Sequence, residues 1–336
     1  MSELRKDPIT GRWVILAAER GVRPSDFQTV TSVQTGGYCP FCPGNEEATP
    51  HEILSFRAPG SAPDEPGWSV RVVPNRFPAL HVEGGFDREG VGLYDRMNGV
   101  GAHEVIVETW RHDATLADLH LRELVEVFWA WRERIVDLEG DGRLEYVVIF
   151  KNHGAEAGAT LEHEHSQLVA LPFVPRALEE EIAGAARHFA QHERCVFCDI
   201  VRQERRDGVR MVFENDRFVV LCPWASRTPF QTWILPRSHR SHFETIQRDE
   251  LRSLAEAVQT TLRKIDRALE SPAYNVLLHT MPMRAPASAS YHWRLEVAPA
   301  LTRIGGFEWA TGHFINPTPP EEAAAFLRGL AHEEAR

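Results

Sequence analysis

Residues 161–172 read LEHEHSQLVALP, and residues 291–299 read YHWRLEVAP. Each is a short run in which apolar and polar residues alternate, the signature of a half-buried β-strand. His163 of the first has a counterpart in His292 of the second. His165 and Gln167 fall opposite Arg294 and Glu296. Moving outward from both runs, the same elements recur in the same order. YVVIFKN (146–152) corresponds to YNVLLHT (274–280), and the helical stretch LRELVEVFWAWRERIVDL (121–138) to LRSLAEAVQTTLRKIDRAL (251–269). HEVIVETWRHDATLADL (103–119) corresponds to QTWILPRSHRSHFETI (231–246), VVPNRFPALHV (72–82) to ENDRFVVLCP (214–223), and CPFC (39–42) to CVFC (195–198). One matched pair is easily accidental, but the whole series in order is not.

The chain therefore reads as two copies of one α+β unit, each a mostly antiparallel sheet carrying one long amphipathic helix. The helices are predicted from apolar spacings of three and four. Residues 1–175 form the first unit and 190–330 the second. A connecting helix, 176–189, falls within VPRALEEEIAGAARHFAQH (174–192).

Both copies carry a Cys-x-x-Cys pair. In a chain of 336 residues with five cysteines and no export signal at its start, such pairs are metal ligands or redox dithiols before they are disulfides. The duplication favours metal. Cys39 and Cys42 can join His112 and His163, and Cys195 and Cys198 can join His239 and His292. Each set is Cys₂His₂, the donor set of a closed tetrahedral zinc site. Two structural zinc ions per chain are expected. They would clip the start of each copy to the strand that carries its His.

Strand alternation puts His163, His165 and Gln167 on one face, and Glu164 and Ser166 on the other. One histidine can thus turn to the metal and the next to a substrate. A neutral imidazole is a good nucleophile, and covalent catalysis splits a difficult phosphoryl transfer into two easier steps. Gln167 can donate to a phosphoryl oxygen. The small, Gly-rich segment Asn152-His153-Gly154-Ala155-Glu156-Ala157-Gly158-Ala159-Thr160 offers backbone N–H groups and a hydroxyl to cradle a phosphate. The alternative use of a His-x-His pair is a second pair of metal ligands. His51, His81, His103, His120, His192, His242 and His313 belong to no motif and read as surface or packing residues.

The motifs RWVILAAERGVRP (12–24), CPFCPGNE (39–46), VPNRFPAL (73–80), KNHGAEAGATLEHEHSQ (151–167) and IGGFEWATGHFINP (304–317) resemble the galactose-1-phosphate uridylyltransferase family of the histidine-triad superfamily. The resemblance covers nearly the whole chain and implies two fused histidine-triad-like units. It also implies ping-pong nucleotidyl transfer, with UDP-glucose as donor and galactose 1-phosphate or another hexose 1-phosphate as acceptor. By the same resemblance His165 is the residue that becomes uridylylated, and Gln167 holds the phosphoryl oxygens. Asn75, Arg76 and Phe77 fall in the uridine-binding segment. Asn152, Gly158 and Thr160 fall in the phosphate loop, and Arg20 and Arg23 near the sugar phosphate. A homodimer is implied, with the segment around Phe307 to Asn316 reaching the partner's site.

Three departures stand out. Glu164 occupies a position that is usually Pro in the family. The second copy lacks a nucleophile. The second Cys₂His₂ set and the GGFE-x-x-TG-x-x-INP segment are closer to the ADP-glucose phosphorylase relatives, which raises as the rival reading an adenylyltransferase that uses inorganic phosphate as acceptor and cleaves ADP-glucose or a dinucleoside polyphosphate. A hydrolase is disfavoured by Gln167 standing where a third His would be needed, and a binding module by the intact His-x-His-x-Gln. Net charge is −11 without a Lys/Arg block, which excludes long nucleic acid as a partner. No apolar run is long enough for a signal peptide or a membrane span, so a cytoplasmic location is expected.

Overall fold

The structure of the chain, a computed structural model, describes residues 2–20 and 37–330, with nothing given of the Arg20 side chain. Strands β1 (Glu3–Lys6) and β2 (Trp13–Leu16) form a hairpin at the N-terminus. The first copy comes next: β3 (Leu54–Arg57), β4 (Trp68–Pro74), the small hairpin β5 (Glu89–Val91) and β6 (Tyr94–Arg96), then β7 (Ala102–Val107). It continues through α1 (Leu121–Leu138), β8 (Tyr146–His153) and β9 (His165–Leu171). Helices α2 (Arg176–His192) and α3 (Val196–Asp207) lead into the second copy. That copy contains β10 (Met211–Glu214), β11 (Phe218–Leu221), β12 (Thr232–Pro236), α4 (Arg248–Leu269), β13 (Tyr274–His279) and β14 (Arg294–Pro299). Helix α5 (Gly306–Thr311), strand β15 (Phe314–Asn316) and helix α6 (Pro320–Gly329) complete the order. Strand β15 pairs in parallel with β2, so the two ends of the chain share one small sheet.

The two copies share a single ten-stranded sheet in the order β10-β11-β12-β14-β13-β8-β9-β7-β4-β3, antiparallel throughout. Read outward from its centre, β8-β9-β7-β4-β3 and β13-β14-β12-β11-β10 are the same series. The centre is an antiparallel pair, Tyr274↔His153 to Leu277↔Phe150, so a pseudo-two-fold axis runs through it. The α+β class and the long helices agree with the sequence reading; the fusion of both copies into one continuous sheet is the structural addition.

Helices α1 and α4 cover one face. The apolar stripe of α1, Leu124, Val127, Phe128, Trp131 and Ile135, packs with Leu254, Val258, Leu262 and Ile265 of α4 over Ile106, Ile149, Leu168, Val276 and Leu295 of the sheet. At the start of α1, the His120 N–H donates to Glu123 Oε2 at 2.7 Å and closes a capping box. On the other face α2 and α3 pack through Leu178, Ala185, Phe197 and Val201 against Val219, Leu221, Trp233 and Leu235. The sequence reading had no helix at 196–207. There the second Cys-x-x-Cys opens a helix, with Cys195 as its N-cap, rather than leading a strand. Among the described residues, no helix is long and apolar enough to cross a membrane.

Candidate functional site

Two Cys₂His₂ clusters assemble as the spacing predicted. The donor atoms of Cys39, Cys42, His112 and His163 all lie within 4.8 Å of one another, as do those of Cys195, Cys198, His239 and His292. Tetrahedral zinc, with bonds of about 2.3 Å to sulfur and about 2.0 Å to nitrogen, sets neighbouring S and N ligands about 3.6 Å apart. The separations here are 3.6 Å for Cys39–His163, 3.3 Å for Cys42–His112 and 3.7 Å for Cys42–His163, and 3.4 and 3.6 Å for Cys198 with His239 and His292. Each ring presents Nδ1 to the cluster. His163 Nε2 donates to the Thr109 carbonyl at 2.7 Å, His292 Nε2 to the Pro236 carbonyl at 2.9 Å, and His239 Nε2 to the Ser288 carbonyl at 2.9 Å. These bonds fix the tautomer that a metal requires. Both clusters therefore fit a divalent ion, and with four protein donors each leaves no open position.

His165 begins the regular part of β9. Its Nδ1–H donates to the His163 carbonyl at 2.8 Å, leaving Nε2 as the nitrogen available to a ligand. Phe41, between the two cysteines, meets the edges of both rings, at 5.3 Å from His165 and 6.2 Å from His163. That contact places the two histidines on one face, as alternation required. Ser166 and Glu164 lie on the other. Trp131 of α1 donates to Ser166 Oγ at 2.9 Å. Glu164 is paired with the Lys151 ammonium and accepts from His153 Nδ1 at 2.6 Å. Lys151 also donates to Glu108 Oε2 at 2.6 Å and to the His165 carbonyl at 3.1 Å. Burial and then the Lys151 charge push the His165 ring down to about 4, so it is neutral at neutral pH. Against the upward push of burial, Lys151 and His153 hold Glu164 down to about 2. Burial, opposed by Lys151 and reinforced by Glu164, leaves Glu108 above its ordinary value.

His165 lines a cavity of about 1310 Å³ with Asn152, Gly154, Thr160, Arg227 and Arg303. The predicted phosphate loop lines it from Asn152 to Glu156 and at Ala159 and Thr160, whereas Gly158 is not among the residues that form the wall. Gly154 and Gly158 bracket a one-turn 3₁₀ helix at φ +82° and +90°, conformations that favour glycine. Asn275 donates to the Asn152 side-chain oxygen at 2.8 Å and so sets the amide of Asn152. Glu308, Phe314 and Ile315, from the segment expected to reach a partner, line the cavity of their own chain.

Other predicted positions lie elsewhere. Gln167, Asn75, Arg76 and Phe77 are not among the residues that form the cavity wall. Phe77 is 83% exposed, and Arg76 reaches the Ala48 carbonyl at 3.2 Å. Arg23 lies outside the described residues.

The sequence reading passed over His103, which joins Gln167 to this group. The Ala79 N–H donates to His103 Nδ1 at 3.1 Å, and His103 Nε2 lies 2.9 Å from Gln167 Oε1 and 3.1 Å from Asn75 Nδ2, so that it links Gln167 to Asn75. Lys151 was missed too. Strand alternation could have paired it with Glu164, but nothing in the sequence shows that a buried lysine needs a partner.

Residues 1–175 match the family "Galactose-1-phosphate uridyl transferase, N-terminal domain", and residues 181–305 its C-terminal domain. The chain is 34% identical to the ADP-glucose phosphorylase of Arabidopsis thaliana over 98% of its own length and 93% of that protein's. It is 28% identical to the galactose-1-phosphate uridylyltransferase of Thermotoga maritima, covering 98% of each. Among solved structures, an ADP-glucose phosphorylase from Arabidopsis thaliana with bound ADP-glucose superposes with a TM-score of 0.83 at 32% identity, over 99% of this chain and 100% of the other. A uridylyltransferase superposes with a TM-score of 0.76 at 29% identity, over 98% of both.

Proposed function

The chain belongs to the galactose-1-phosphate uridyl transferase family, and from that premise we propose that it transfers a nucleotidyl group through a covalent bond to His165. The observation that carries this is the neutral, oriented imidazole of His165, whose Nδ1–H is held by the His163 carbonyl while the ring faces the cavity. UDP-glucose binds, and His165 Nε2 attacks the α-phosphorus as glucose 1-phosphate leaves. A hexose 1-phosphate, galactose 1-phosphate in the main reading, then attacks the same phosphorus and releases the new nucleotide sugar. The N–P bond formed in the first half is the bond broken in the second. Glucose 1-phosphate departs as a phosphate and needs no proton, and in the second half the leaving group is the His165 imidazole, which departs neutral with its proton kept on Nδ1.

Asn152, Gly158 and Thr160 would hold the phosphates, with Gln167 donating to the α-phosphoryl oxygens and Asn75, Arg76 and Phe77 meeting the nucleoside. Arg20 and Arg23 would meet the sugar phosphate. Cys39, Cys42, His112 and His163 would hold one zinc ion, and Cys195, Cys198, His239 and His292 a second. Bound there, zinc supplies a structural cross-link. We read residues 1–175 as the catalytic unit, 176–189 as the link and 190–330 as its degenerate copy, working as a cytoplasmic homodimer.

A second reading keeps the chemistry and changes the substrates: adenylyl transfer from ADP-glucose to inorganic phosphate. The 34% identity to an ADP-glucose phosphorylase favours it. Incubation with UDP-glucose and, separately, ADP-glucose, followed by intact-mass measurement and peptide mapping, decides. A uridylyl adduct on His165 is expected. An adenylyl adduct instead would establish the second reading, and no adduct with either would sink both.

A further inference from the structure

The ladder between β8 and β9 stops at Phe150↔Gln167. On its other side β9 stays paired with β7 as far as Val107↔His165, and the Glu108 N–H still reaches the Glu164 carbonyl at 3.1 Å. Strand β8 parts from β9 there because it must open into the loop that walls the cavity. The His165 carbonyl is thus left without a backbone donor from β8. The Lys151 ammonium stands in that place, donating to the carbonyl at 3.1 Å. The side chains of Lys151 and its partner Glu164 are 1% and 3% exposed. The second copy has no such gap: β13 pairs with β14 through His279↔Arg294.

We propose that Lys151 and Glu164 are positioning residues for His165, an ion pair that replaces a missing rung of the sheet beneath the reacting side chain. Two carbonyls in series define the ring. His163's holds the imidazole, and His165's is itself held by Lys151. Burying two charges costs more than an apolar pair of the same size would, so stability alone gives little reason for this pair. Misplacing a reacting group by about 1 Å costs about 10²-fold in rate, which does. This inference rests on the covalent reading of His165.

The test compares Lys151→Met and Glu164→Gln with Arg134→Met. The last cuts another buried ion pair of the same copy, Arg134–Glu104 at 2.7 Å, away from His165. For each variant the rate of nucleotidyl-adduct formation per folded protein is measured by rapid quench, with the nucleotide sugar that labels the wild type. KM, metal content and unfolding midpoint are measured alongside. Lys151→Met should slow adduct formation about 10- to 100-fold and Glu164→Gln about 10-fold, with KM within about threefold and metal content unchanged. Arg134→Met should lose stability and keep its rate. Where Lys151→Met fails to fold, Glu164→Gln, which preserves shape, carries the test. Wild-type rates in the two variants, or equal slowing in Arg134→Met, would overturn the inference. A wild type that forms no adduct would overturn the functional reading instead.

Discussion

The two copies of the unit end in the same place with opposite chemistry. In the first, the strand after the metal ligand offers His165, neutral, with one nitrogen free of internal partners among the described residues. In the second, the corresponding Arg294 is buried and paired: it donates to Glu181 Oε1 and Oε2 at 2.5 and 3.0 Å. Glu296, opposite Gln167, accepts from Arg227 at 2.7 Å and from Gln231 at 2.8 Å. The metal clusters barely differ, with ring pairs at 5.4 Å and 82° in one copy and 5.5 Å and 85° in the other. Both halves carry a Cys₂His₂ cluster, and one half carries the proposed nucleophile. A closed metal site stabilises whichever strand it ties, whereas a ring nitrogen facing a cavity is placed to meet a ligand.

That contrast is tested most severely by paired substitutions. His165→Asn should reduce turnover at least about 10³-fold, while Arg294→Met should leave turnover per folded protein within about threefold. Steady-state kinetics corrected for folded fraction measures both. Comparable losses in the two would erase the distinction.

The metal clusters come next. Cys42→Ser and Cys198→Ser should each lower bound metal from about two ions per chain to about one. The first should also cut turnover by about 10- to 100-fold, through the Phe41 and His163 contacts to His165, and the second should not. Metal analysis alongside kinetics reports this, and equal activities in the two variants would contradict it.

Breaking the ion pair of the second copy is a smaller, purely structural perturbation. Glu181→Gln should cost about 3–5 kcal/mol of unfolding free energy near neutral pH. Against burial, Arg294 holds the Glu181 carboxyl down to about 2, with His279 and Tyr291 assisting. A depressed carboxyl contributes its full stabilisation above its unfolded value and loses it as pH falls toward 2. The gap between wild type and Glu181→Gln should therefore narrow by about 2–3 kcal/mol between pH 5 and pH 2. Denaturant titrations at several pH values measure the narrowing, and a constant gap would refute the pairing. Least of all, Ser166→Ala should cost about 1–2 kcal/mol, since it strands the Trp131 N–H. Its counterpart in the other copy is Leu295, already apolar.

Repeated elements and strictly periodic ones could be read from the sequence. Helix α1 was predicted at its observed bounds, and both metal clusters were legible because the duplication marked the same residue types twice. Residues that work through contacts distant in sequence were hidden. His103 reaches Gln167 across β7 and β9, and Glu181, on α2, closes over a strand 113 positions away. Helix α3 was hidden for another reason. Its apolar face is short, and its opening Cys-x-x-Cys was read only as a pair of metal ligands. The placement of Asn75, Arg76 and Phe77 outside the cavity wall was equally illegible, because periodicity gives the face of a strand and not the depth of a cleft.

The central pairing of β8 with β13 has a further consequence. Each copy presents to the other a strand edge that, unpaired, would be a row of open donors and acceptors. Because the seam is antiparallel and the halves are equivalent, the partner best shaped for that edge is another half of the same kind. A free-standing ancestor of one half would have covered its edge by pairing with itself. Within one chain that encounter is permanent and intramolecular, so the sheet does not require a nucleophile in both halves.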